Sequence, residues 1–179
     1  MEPLSHRELP AYRVLRSVIA NHIMLRRLRW QDVSAALTIV LGELVKQGLS
    51  QPSVTAPTIP LILAAVSHTL QSWCADVTPQ PFPGLEDLNA TAGGLGEELS
   101  LAVLGLLENY GREQAFNAWR GIRVTLRLLV DLLPAPSEHN EADAAMRAAL
   151  IAAVNAGWQR YVRTNLPYAA PFPDGEKAR

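Results

Sequence analysis

Apolar residues recur along most of this chain at steps of three and four, the spacing that collects them on one face of a helix. Trp30, Val33, Leu37, Val40, Leu41 and Leu44 form one such face. Trp119, Ile122, Leu126, Leu129, Val130 and Leu133 form another, each standing 89 positions after its counterpart. Upstream the same offset places Glu8 on Glu97, Val14 on Val103, Leu15 on Leu104 and Val18 on Leu107. Downstream the offset slips to 88, putting Ala64-Ala65-Val66 on Ala152-Ala153-Val154, Gln71 on Gln159, Trp73 on Tyr161 and Pro79 on Pro167. After two inserted residues, Pro81-Phe82-Pro83 falls on Pro171-Phe172-Pro173. A core pattern, an aromatic pair and a proline-flanked phenylalanine, recurring in one order, point to a duplicated three-helix unit.

The punctuation between these faces predicts the elements. Pro10 suits the first turn of a helix running to about Arg29, with Val14, Leu15, Val18, Ile19, Ile23, Leu25 and Leu28 as its apolar arc. Asp32 is placed to cap the second helix, and Gly48 to end it in a left-handed conformation. The third helix follows Thr58, tolerates Pro60 in its first turn and runs to about Asp76. The run from Thr78 to Gly84 then breaks regular structure. In the second half a short helix is expected over Leu85 to Ala92, and a longer one from Glu97 to Tyr110, stopped by Gly111. The central helix of this half is expected to begin near Arg112 or Glu113 and stop before Pro134, longer than its echo. The last runs from a cap at Ser137 or Asn140 to about Asn165, burying Met146, Leu150, Ile151, Val154, Trp158 and Tyr161. No segment alternates at period two long enough to make a strand. The expectation is an all-α bundle of about six helices, with units over residues 1–84 and 85–179 related by a pseudo-twofold axis. Gly121, in mid-helix, suits a close crossing near that axis.

Composition narrows the class. With 49% hydrophobic and 18% charged residues in 179, the chain is neither a disordered tail nor a coiled-coil rod. A net charge of −1 supplies no overall attraction to nucleic acid or anionic membranes. Cys74 is the one cysteine, so an internal disulfide is excluded and a reducing compartment fits. No apolar run reaches the roughly 18 to 20 residues of a membrane span. The opening Met-Glu-Pro-Leu lacks the layout of a secretory signal. A cytoplasmic protein without a membrane partner is expected.

Charge is zoned although its sum is small. Arg120, Arg123 and Arg127 stand at i, i+3 and i+7, where the first half has Gln31, Ser34 and Thr38. The first helix carries Arg13, Arg16, Arg26, Arg27 and Arg29, whereas its counterpart region carries Glu97, Glu98, Glu108 and Glu113. Arginine suits planar, bidentate contacts and is enriched at protein interfaces. Arg13, Arg16, Arg120, Arg123 and Arg127 are therefore the candidate partner-binding residues. Against that stands a solvated, partly neutralised face, with Asp131 four residues after Arg127.

Chemistry is hard to place. His6, His22, His68 and His139 are scattered, with no metal-ligand spacing, and His68 and Cys74 lie too far around one helix to meet. The Gly93-Gly94-Leu95-Gly96 run follows no strand and leads into Glu97-Glu98, whose charges repel a phosphate. Gly48 to Val54 resembles the turn of a helix-turn-helix, but the recognition helix would have to pass through Pro57 and Pro60. No catalytic residue, metal or cofactor is expected. The function expected is a non-catalytic interaction module, an adaptor, assembly or regulatory protein, binding another protein or further copies of itself. A nucleic-acid-binding regulator is the second expectation. A bundle holding a hydrophobic ligand between its halves is the third.

Overall fold

The computed structural model describes residues 4–85, 93–114, 116–134 and 141–166. Six α-helices occupy these residues: α1 (Leu9–Arg26), α2 (Trp30–Leu49), α3 (Ile59–Asp76), α4 (Gly96–Gln114), α5 (Ala118–Leu132) and α6 (Glu141–Asn165). A single 3₁₀ turn, Ala56–Thr58, precedes α3, and no strand occurs among the described residues. The chain is all-helical. The expected short helix after Leu85 falls outside the described residues, as does the second Pro-Phe-Pro.

α2 runs through the middle, with Val33, Leu37, Val40, Leu41 and Val45 wholly buried. Each such side chain contributes about 1.5–3 kcal/mol of burial free energy, so α2 organises the core. It packs on α5, α4 and α6, while α5 packs on α2, α1 and α3; α1 also meets α4, and α3 meets α6. Each central helix thus draws its main contacts from the opposite half. Exchanging α1 with α4, α2 with α5 and α3 with α6 leaves this pattern unchanged, although α6 packs on α2 more extensively than α3 does on α5. Neither half could bury its central helix alone.

α2 and α5 run antiparallel, each with a tryptophan at its start. The indole N–H of Trp30 donates to the Leu132 carbonyl across 2.7 Å, closing the end of α5. At the other end, a Cβ on Gly48 would stand 2.9 Å from the Trp119 ring. Between them Gly121 lies against Leu44, where a Cβ would meet Cδ1 at 3.1 Å. The close crossing expected at Gly121 is present.

Several boundaries differ from expectation. α1 ends at Arg26, because Arg27 adopts the left-handed conformation with φ 53°. α2 begins three residues earlier than expected, so Asp32 is not its cap but accepts from the Arg29 N–H at 3.1 Å, inside the first turn. Gly48 does not terminate α2; it is helical and bare because the Trp119 ring lies on it. Gly111 is likewise inside α4, and the break comes after Gln114. Asn117 then caps α5 by accepting from the Arg120 N–H at 3.1 Å, so α5 starts later and is shorter than α2. Val14, Leu25 and Met146, expected in the core, are exposed.

Candidate functional site

Asp131, near the end of α5, is the most heavily engaged polar group. Its carboxylate accepts from the Tyr12 hydroxyl at 2.5 Å, the Gln80 N–H at 2.8 Å, Arg127 at 3.1 Å and Arg16 at 3.2 Å. Arg16 also reaches the Pro81 carbonyl at 2.9 Å and stacks 4.5 Å from the Phe82 ring centre, while Arg127 donates to the Thr78 carbonyl at 3.1 Å. α1, α5 and the segment from Thr78 to Phe82 are thereby tied into one buried junction. Burial pushes the Asp131 carboxyl up, against the pull of Tyr12, the Gln80 amide and the two guanidinium groups.

A second aspartate does the same at the start of α2. Asp32 accepts from the N–H groups of Gly93 at 2.8 Å and Leu95 at 3.3 Å, besides that of Arg29. The backbone presses close here, since a Cβ on Gly96 would stand 2.9 Å from the Asp32 carbonyl. Burial raises Asp32, but the N–H groups of Gly93, Arg29, Leu95 and Gly94 outweigh it and hold its pKa below the ordinary value. Asp131 and Asp32 thus grip the two ends of the connection between α3 and α4.

This geometry shows where the five candidate arginines stand. From Val124 to Leu132 every residue of α5 is buried, so the helix has no solvent face on which Arg127 could lie. Arg127 is spent on Asp131 and Thr78, with Tyr12 alongside. Arg123 pairs with buried Glu8 at 2.9 Å and lies 5.2 Å from the Trp73 ring centre. Arg16 belongs to the Asp131 junction, and Arg120 is half-buried in the first turn of α5. Of the five, Arg13 and Arg123 are exposed. The five are not one surface: α5 directs its arginines onto α1, α3 and the segment after α3. Tyr12 and Gln80 were missed because their role depends on a carboxylate far along the chain.

Two surface features remain. At the end of α1, Met24 and Leu25 are 72% and 82% exposed, beside exposed Arg26 and Arg27. Arg26 holds Glu98 at 3.2 Å, which fixes this basic corner against α4. On the other side of α4, a groove of about 610 Å³ opens between α2, α4 and α6, with Leu101, Leu104, Gly105 and Tyr161 among its walls. Glu97 and Glu108 stand on its α4 rim and Glu43 on its α2 rim. Glu43 is tied down by Lys46 at 2.7 Å and by the Tyr161 hydroxyl at 3.0 Å.

His22 bonds its own helix through the Val18 carbonyl at 2.9 Å. Cys74 is buried, and burial pushes its thiol up to about 11, leaving little thiolate at neutral pH. No group of three potential metal ligands gathers among the described residues, and none of their helices is long and apolar enough to cross a membrane. Comparison of the chain with protein-family models, with curated proteins and with solved structures finds no match.

Proposed function

We propose that this chain is a non-catalytic protein-interaction module, an adaptor, assembly or regulatory protein, built from two copies of a three-helix unit about a pseudo-twofold axis. The exchange-symmetric packing and the antiparallel central pair support the duplication. Superposing residues 9–76 on 98–165 in an experimental structure tests it, and helices that do not overlay would reject it. The partner surface is the basic corner at the end of α1, joined by Arg13 along the same helix.

One observation carries this choice. Met24 and Leu25 are the two most exposed large apolar side chains described, and they are neighbours. Neither contributes to the core, and methionine and arginine together are characteristic of protein interfaces. The partner fitting this corner is a protein surface with an apolar seat and an acidic rim. Native mass spectrometry of protein from a mild lysate tests it. The wild type is expected to carry added protein mass that Met24→Ser/Leu25→Ser loses while keeping its helical signal. Retention of the same mass by that variant, or an added nucleic acid in place of protein, would overturn the proposal.

A further inference from the structure

The corner at the end of α1 and the groove beside Leu101 are chemical complements. The corner sets two exposed apolar side chains, Met24 and Leu25, beside Arg26 and Arg27. The groove is its reverse: Leu101, Leu104 and Tyr161 give it an apolar wall, and Glu97 and Glu108 stand exposed on its rim. Leu101 is left 64% exposed, and nothing lies within 4 Å of where a Cβ on Gly105 would stand, so the seat is open. At about 610 Å³ it has room for two apolar side chains. Among the described residues no ion pair holds Arg27, Glu97 or Glu108, whereas Glu43 is tied to Lys46. Each surface therefore keeps charge that the chain itself does not neutralise, and the two charges are opposite in sign.

A copy does not fill its own groove. α1 is packed on α4 and α5, with Arg26 paired to Glu98, and supplies none of the groove's walls, which come from α2, α4 and α6. A second copy brings the matching corner, and a net charge of −1 sets up little repulsion between copies. We infer that the corner of one copy seats in the groove of the next, Met24 and Leu25 against Leu101 and Leu104, with Arg27 facing Glu97 and Glu108. The proposal rests on the reading of that corner as a partner surface, and it names the partner as this same chain. Such a contact is head-to-tail. Each added copy leaves one corner and one groove open, so assembly continues into a ring or a filament rather than stopping at a twofold dimer.

Sedimentation velocity of purified full-length protein over a range of concentrations tests this. The wild type is expected to form integer multiples of the chain that grow with concentration. Met24→Ser/Leu25→Ser removes the corner and Leu101→Ser/Glu108→Lys the groove; all four positions are exposed, so both variants should keep their helical signal. Each is expected to stay monomeric alone, while their mixture forms a one-to-one pair and goes no further. A mixture that remains monomeric, or a variant that still self-associates, would overturn the proposal. In the wild type alone, raising salt from about 0.05 M to about 0.5 M should weaken association about tenfold by screening the rim charges. Association indifferent to salt would reject it too. A wild type that is monomeric at every concentration removes the second copy as the partner. If protein from a lysate then still carries a foreign protein mass that Met24→Ser/Leu25→Ser loses, the corner stands and only the self-assembly falls, so the two failures are told apart.

Discussion

The Tyr12 hydroxyl donates to Oδ2 of Asp131 across 2.5 Å, joining residues 119 positions apart. The position 89 residues before Asp131 is Gly42, and the Tyr161 ring lies on it. In one half a carboxylate gathers α1 and the segment after α3. In the other a bare backbone lets α6 come down directly onto α2. The difference explains why α6 packs on α2 more extensively than α3 does on α5. Gly42, under the Tyr161 ring, and Gly105, facing open space, should therefore respond oppositely to the same change.

Gly42→Ala is expected to destabilise the fold by about 1–3 kcal/mol, as overpacking does. A Cβ there would stand 2.5 Å from Cδ1, 2.9 Å from Cγ and 3.0 Å from Cβ of Tyr161, so rotating the ring does not relieve the clash. Gly105→Ala meets nothing within 4 Å and should gain up to about 1 kcal/mol from helix propensity. Urea melts of both variants check the pair. Equal signs would mean that α6 is not seated on Gly42.

Asp32 predicts a dependence on pH. Its folded pKa lies below the unfolded value, so its N–H bonds contribute fully above the ordinary carboxylate range. That contribution is lost as pH falls through the folded value. Asp32→Asn should cost about 1.5–3 kcal/mol at neutral pH, the worth of hydrogen bonds to a charged group. The gap between wild type and variant should narrow as melts are taken from about pH 7 toward about pH 3. A gap constant with pH would show that the N–H groups of Gly93 and Leu95 do not select the carboxylate.

The all-helical class was legible because the three-and-four spacing survives in every helix, and α2's predicted face, Val33 to Val45, is buried as written. What was not legible depends on partners far along the chain. A glycine at a helix end and a glycine under an aromatic ring are the same letter. Gly48 is the second kind only because Trp119 arrives there. Arginines three and four apart read as a solvated stripe when a helix is considered alone. α5 is covered by α1, α2 and α3, and that coverage makes Arg127 an internal tie and leaves Arg123 exposed but paired with buried Glu8.

The arginines therefore separate into two groups by stability, and this decides which can be used to test binding. Arg127→Glu would set a second carboxylate beside Asp131 where Arg127 now stands at 3.1 Å, within a region that is almost wholly buried. Removing one partner of a buried pair costs about 3–5 kcal/mol, and a reversal should cost at least that. Arg13→Glu, on the exposed side of α1, should stay within about 0.5 kcal/mol of wild type. Circular dichroism melts of the two single variants check the contrast. If Arg127→Glu melts with the wild type, the junction at Asp131 is wrong. If it unfolds as expected, lost binding in any variant carrying it reports lost structure, and only arginines on exposed faces, such as Arg13 and Arg27, can report on a partner.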